Sequence, residues 1–243
     1  MNLADSFLLF ISVVAGGALP LLFNINSRIY LQMALSFGGA YLFSITALHL
    51  MPETFSNSEN QIGYWVLAGF FLQLILEQFS KGVEHGHIHP HKSAHAGFAL
   101  QVMLGLSIHA FIEGLPLTDY SGFHEQLHPH SHGHNHLLFG IMLHHLPAAF
   151  ALALLLKHSG YSVKWVWICL LIFALMSPLG AWVGTMLDLS LQNFKALMAV
   201  VIGTFLHIST TILFEMEEGG HHHISYQKLG AILAGLAIAV LLT

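Results

Sequence analysis

Charge is what this 243-residue chain has least of. Lys, Arg, Asp and Glu together make up 8% of it, against about 25% in soluble domains. A soluble fold could not cover its surface with so few ionic groups, so the apolar set, at 55%, must face something other than water. Mean hydropathy is +0.69. Cysteine is nearly absent: Cys169 stands alone, which excludes disulfides within the chain and a cysteine-based metal site. No G-x-x-x-x-G-K-[ST] run is present, so an ATP-driven motor of that kind is excluded within this chain. Period-two alternation is missing as well, which argues against a β-barrel. No Lys or Arg precedes the first apolar stretch and no small-x-small cleavage site follows it, so it reads as a span and not as a cleaved signal. Nothing in the composition calls for nucleic acid.

What is present is a series of eight apolar stretches, at about 5–23, 31–50, 62–80, 96–118, 137–156, 165–187, 196–215 and 227–243. A bilayer core about 30 Å thick takes ~20 residues of helix. The pattern predicts an all-α polytopic bundle of eight helices, one transmembrane domain over 1–243, with His-rich loops at about 81–95 and 119–136. The third stretch opens QIGYW and the sixth WVW, aromatics suited to the lipid headgroup level. Arg28, Lys81, Lys92, Lys157 and Lys164 are assigned to one side, Lys195 and Lys228 to the other. The positive-inside rule then puts the first group in the cytoplasm and both termini outside. Short loops and the lack of a targeting extension favour a bacterial inner membrane. Small residues such as Gly38, Gly39 and Ala40 could pack helices within one chain or between two, so a homodimer is one expectation.

Twenty histidines is far above background. One population lies in the connecting segments: His85, His87, His89, His91 and His95 on the expected cytoplasmic side. His124, His128, His130, His132, His134 and His136, with His221, His222 and His223, fall on the expected outer side. Imidazole suits Zn²⁺, Cu²⁺, Ni²⁺ and Fe²⁺ and not Ca²⁺ or Mg²⁺, so these tracts read as weak metal collectors or, at the plainest, as solvated polar loops. The other population lies at bilayer depth: His49, His109, His144, His145 and His207. A full charge there costs roughly 2.5–3.5 kcal/mol on insertion scales, so such groups face the bundle interior and find a partner.

The fourth stretch carries His109 and Glu113 in SIHAFIEGLPL. Four residues apart, they share one helix face, ~40° apart and ~6 Å along the axis. Pro116 cannot donate to the helical ladder and releases the carbonyl of Ile112. The fifth stretch carries His144 and His145 in LHHLPAAF, with Pro147 releasing the carbonyl of Leu143. Their side chains point ~100° apart, so both line a cavity only if the helix is central. Facing His and Glu groups from two helices suit tetrahedral Zn²⁺ with water in an open position. The alternative is a Glu–His hydrogen bond without metal. His49 and Glu53 repeat the four-residue spacing near the expected outer surface, as an entrance site or a polar helix end. Glu77 closes the third stretch, as an exit ligand or an interfacial carboxylate; His207 and Glu215 are further auxiliaries.

These residues resemble the ZIP (Zrt/Irt-like protein) family of metal transporters over nearly the whole chain. LSIHAFIEGLPL is similar to the family's His-Ser/Asn-x-x-Glu-Gly signature, and LHHLPAAFALALLL to its polar pair followed by x-Pro-Glu; ALHLMPE, SPLGA and GTFLHIS fit in order. The resemblance implies eight spans in a 3+2+3 arrangement, the first and last three related as inverted repeats. It implies metal bound between the fourth and fifth helices at His109, Glu113 and His144, with His145 as a second polar ligand, and movement toward the cytoplasm. Three positions depart from the family: Ala148 where Glu is frequent, Ala110 where Asn or Ser is frequent, and Ser177 where some members have Glu. A single main site is therefore expected, nitrogen-rich and tuned to Zn²⁺ over Mn²⁺, with Fe²⁺ and Cd²⁺ as competitors. The ion is the cargo; no resident cofactor and no enzymatic activity is expected. An exporter of another helical family is the main rival, and an intramembrane metalloenzyme the weaker one.

Overall fold

The structure is a computed structural model that describes residues 3–23, 28–56, 61–86, 96–127, 135–214 and 225–241. Among them there is no strand. The helices are α1 (Leu3–Leu22), α2 (Arg28–Ile45), α3 (Met51–Phe55), α4 (Ile62–Ser80), α5 (Ala96–Gly114), α6 (Leu117–Leu127), α7 (His136–His158), α8 (Val163–Gly184), α9 (Leu191–Phe214) and α10 (Tyr226–Leu241). One π-helical turn, Thr46–Leu50, joins α2 to α3, so these form a single bent span. Among the described residues, seven helical segments are long and apolar enough to cross a bilayer. The eighth, α10, has 16 residues, about 24 Å of helix and so shorter than the others. The chain is an integral membrane protein in which Phe71, Ile75, Leu100, Leu171, Trp182 and Leu233 turn outward into the apolar zone. Tyr64, Trp65 and Trp165 are exposed at the starts of α4 and α8, where an aromatic belt belongs.

The helices pair as α4 with α9, α10 with α2, α1 with α7 and α5 with α8. Let the first, second and third spans correspond to the sixth, seventh and eighth, and exchange the fourth with the fifth. Each pair then becomes another: α4–α9 becomes α10–α2, and α1–α7 becomes α8–α5. Corresponding spans lie five apart in order and so run in opposite directions, which is an inverted repeat. A glycine seats each pair by bringing backbone against backbone. A methyl group added to Gly69 would lie 2.0 Å from the Val200 carbonyl oxygen, one on Gly180 2.1 Å from that of Phe111, one on Gly16 2.2 Å from that of Leu146, and one on Gly235 2.4 Å from that of Phe37. Gly38 and Gly39 face Leu143 and Ile212, and Ala40 faces Gly235; these small residues are spent inside the chain.

Helix α7 lies at the centre, buried along nearly its whole length. Two sequence-based placements change. Gly69 faces Val200 and Glu77 meets His207, so α4 and α9 run parallel and end on the same side. The last turn of α9 therefore lies beside the last turn of α4, which moves Lys228, at the start of α10, to the side of Lys81 and leaves Lys195, at the start of α9, opposite. His221, His222 and His223, placed by sequence on the far side, lie outside the described residues, as do Glu215, the histidines at 87–95 and those at 128–134. The second change concerns three histidines read as loop residues. His85 lies in a buried 3₁₀ turn, His124 is buried on α6, and His136 is the buried first residue of α7. Asn135 fixes that start by accepting from the Leu138 N–H at 3.0 Å.

Candidate metal centre

His109, Glu113, His144 and His145 come together in the bundle interior, all buried, with one ligand atom from each within 4.8 Å of the others. Helix α5 supplies His109 and Glu113, whose four-residue spacing stacks them: Nε2 of His109 lies 2.9 Å from Oε1 of Glu113. Central α7 supplies the pair that points two ways. His144 Nε2 lies 3.2 Å and His145 Nε2 3.1 Å from Oε2 of Glu113. One carboxylate thus meets three imidazoles at zero solvent exposure. His144 Nδ1 donates to the Gly140 carbonyl at 2.9 Å, which sets the tautomer and leaves the Nε2 lone pair facing the centre. Nε2 of His109, Oε1 of Glu113 and Nε2 of His144 are buried without an aligned hydrogen bond. Buried polar atoms normally have one. Convergent lone pairs left unused by the protein are what a cation ligand set looks like, and imidazole with carboxylate suits Zn²⁺.

The prolines shape this region. Gly114 ends α5, and the Leu115 N–H bonds the Ile112 carbonyl at 3.3 Å, so the oxygen expected to be free is held by a tight turn. The carbonyl released by Pro147 faces Gly38, where an added methyl would sit 3.0 Å from it. Gly114 and Gly180 let α5 and α8 touch: a methyl on Gly114 would lie 2.2 Å from the Ser177 carbonyl oxygen. The departures seen in sequence sit here too. Ala148 is buried and offers no ligand atom, while Ser177 Oγ is buried without a hydrogen-bond partner.

The auxiliary residues fall into two clusters. Glu77, His207 and His85 form a trio with ligand atoms within 4.8 Å, His207 Nε2 being 2.7 Å from Oε2 of Glu77. Sequence singled out Glu77 and His207 separately; the folded turn that adds His85 was not foreseen. At the opposite end His49 and Glu53 find partners on other helices. His49 stacks on His136 with ring centroids 4.3 Å apart. Glu53 meets His124 Nδ1 at 2.9 Å and accepts from the Tyr120 hydroxyl at 3.3 Å. His124 and His136, with ring centroids 5.9 Å apart, join the two pairs into one cluster. His124 and Glu125 also begin an H-E-x-x-H run, a zinc-peptidase spacing that the motif reading missed. Here His124 is engaged by Glu53 and Glu125 is exposed, so the two do not face a common site; His128 lies outside the described residues.

A helical membrane bundle with a buried cluster of three imidazoles and one carboxylate defines the class: an integral membrane protein with a ligand set of the transition-metal kind in its interior. A family model described as ZIP zinc transporter matches residues 84–243. The chain belongs to the ZIP family. It is similar to zinc transporter ZIP9-B of Xenopus laevis, 32% identical over 189 residues that cover 72% of this chain and 59% of that protein. It is similar to zinc transporter ZIP9 of Micropogonias undulatus, 31% identical over 206 residues covering 79% and 60%. Zinc transporter ZIP1 of Danio rerio is 23% identical over 224 residues covering 71% and 72%. The chain thus spans about three-fifths of the length of the ZIP9 relatives it matches.

Proposed function

We propose that this chain is a single-domain zinc transporter that carries Zn²⁺ toward the cytoplasm through the centre at His109, Glu113, His144 and His145. The observation that carries this reading is the buried Glu113 carboxylate ringed by three imidazoles whose ligand atoms converge within 4.8 Å. The family and the names of its relatives point to the same cargo. The outer cluster of His49, Glu53, His124 and His136 receives the ion, and the inner trio of Glu77, His85 and His207 passes it on. Arg28, Lys81, Lys92, Lys157, Lys164 and Lys228 mark the inner side, against Lys195 outside, so both termini lie outside.

Membrane potential supplies the drive. Two charges crossing 100 mV gain about 4.6 kcal/mol, at ~2.3 each if the whole field is traversed. That corresponds to over a thousandfold concentration ratio. The site takes one ion, because positions 148 and 177 add no carboxylate. Liposomes holding a zinc-sensitive dye test the reading. With an inside-negative potential, Zn²⁺ influx should rise steeply above that of empty liposomes and fall when the polarity is reversed. Influx equal to that of empty liposomes would overturn it.

A further inference from the structure

Glu84 belongs to neither cluster, yet it is only 2% exposed. It sits on the 3₁₀ turn Val83–His85. Lys81, Gly82 and Gly86, at φ of 60°, 71° and 85°, are left-handed residues that fold the chain back at once after α4. The turn packs against α4, α7 and α9. Those are the helices that carry Glu77, the His144–His145 pair and His207.

The carboxylate is held at one end only. Ser80 Oγ donates to Glu84 Oε2 at 2.6 Å. Oε1 is buried without a hydrogen-bond partner. Ser80 in turn lies against α5: a methyl on Gly105 would sit 2.7 Å from Ser80 N and 3.1 Å from its Cβ. Gly105 stands one helical turn before His109 on the same face, ~6 Å along the axis. On its other side the next residue, His85, is a member of the inner trio. A carboxylate buried between two ligand clusters, with a free oxygen, is stable only as a neutral acid or with a cation near it.

We propose that Glu84 is the relay ligand of the inner half of the path, taking a divalent transition-metal ion from the Glu113 centre and passing it to Glu77, His85 and His207. The proposal rests on the transport reading above. It assigns the free oxygen of Glu84 to the moving ion, and Ser80 to aiming that oxygen.

Glu84→Gln keeps the shape and the bond to Ser80 and removes the charge. In dye-loaded liposomes the full chain carrying it should import Zn²⁺ about tenfold more slowly or worse, the loss typical when a supporting group of a metal site is removed. Glu84→Asp should keep most of the rate. Zinc titrated against purified Glu84→Gln should still bind at the Glu113 centre as in the unmodified protein, with an unchanged melting temperature. Influx through Glu84→Gln equal to the unmodified rate would overturn the relay and leave Glu84 a neutral structural acid. If Glu84→Gln fails to fold, Ser80→Ala decides: it spares the carboxylate and frees it, and influx should fall several-fold, whereas an unchanged rate overturns the proposal. An unmodified protein that moves none of Zn²⁺, Cd²⁺, Co²⁺ or Mn²⁺ at either polarity removes the transport reading and the relay with it; unimpaired Glu84→Gln beside a working protein removes the relay alone.

Discussion

Glu113 is the residue on which the account turns. Burying a lone carboxylate costs several kcal/mol. On the proposed function a bound dication would offset that cost, which makes Glu113 the group whose removal matters most. Two predictions belong at this scale. Ala148 is buried beside Pro147, so Ala148→Glu places a second carboxylate four residues after His144, on the same face of α7. Zinc titration of the purified variant should then show two tightly bound ions instead of one, and zinc should raise its melting temperature more than that of the unmodified protein. The second follows from the donor chemistry. A protonated imidazole has no lone pair to give, so acid must weaken binding and influx. Initial Zn²⁺ uptake at fixed membrane potential should fall as pH is lowered from about 7.5 to 5.5; a flat profile would argue against a histidine-dominated site. The pairing of His109 with Glu113 was legible from spacing alone. His85, His124 and His136 were not placed correctly, because they sit at the edges of His-rich tracts that look uniformly polar. His85 is carried by the 3₁₀ turn after α4, His124 by the last turn of α6 and His136 by the first turn of α7, and each of these folds its histidine inward.

Among the elements, the close helix pairs hold the centre in register. Helices α5 and α8 meet at Gly114 and Gly180, and α8 is what fixes the depth of α5. A methyl on Gly180 would overlap the Phe111 carbonyl oxygen at 2.1 Å, backbone that cannot yield without moving the helix. Overpacking of this kind costs typically about 1–3 kcal/mol. Gly180→Ala should lower the melting temperature in detergent and reduce zinc affinity, although the residue touches no ligand; equal affinity would show that the α5–α8 distance does not position Glu113. Hydropathy located most spans to within a few residues, because ~20 apolar residues is what the bilayer requires. It read the fourth stretch as one unbroken helix, where Gly114 and Pro116 end α5 and α6 begins within the same apolar span. It also missed that the second span continues through a π-helical turn to Phe55, since no window average records a change of helical pitch.

Across the whole molecule, the inverted repeat and the charge distribution act together. The repeat brings the two central spans back to back with their partners, and the connections fall on alternate sides. Counting basic residues in order along the chain misplaced Lys228, because the count did not follow the parity of the crossings; the parallel course of α4 and α9 corrects it. Cysteine placed at position 81 or 228, in a chain lacking Cys169, should therefore react with a membrane-impermeant maleimide from the same face of sealed vesicles. Cysteine at exposed position 188 should react from the opposite face. Labelling of 81 and 228 from different faces would contradict the topology.

The central claim is that the ion passes through the Glu113 centre. Zinc stoichiometry and zinc influx, measured side by side for the unmodified protein and for Glu113→Ala, test it most directly. The account predicts one tightly bound ion and potential-driven influx for the first, and loss of both for the second, with gel filtration and helix content unchanged. Influx through Glu113→Ala at the unmodified rate would contradict it and put the path elsewhere in the bundle.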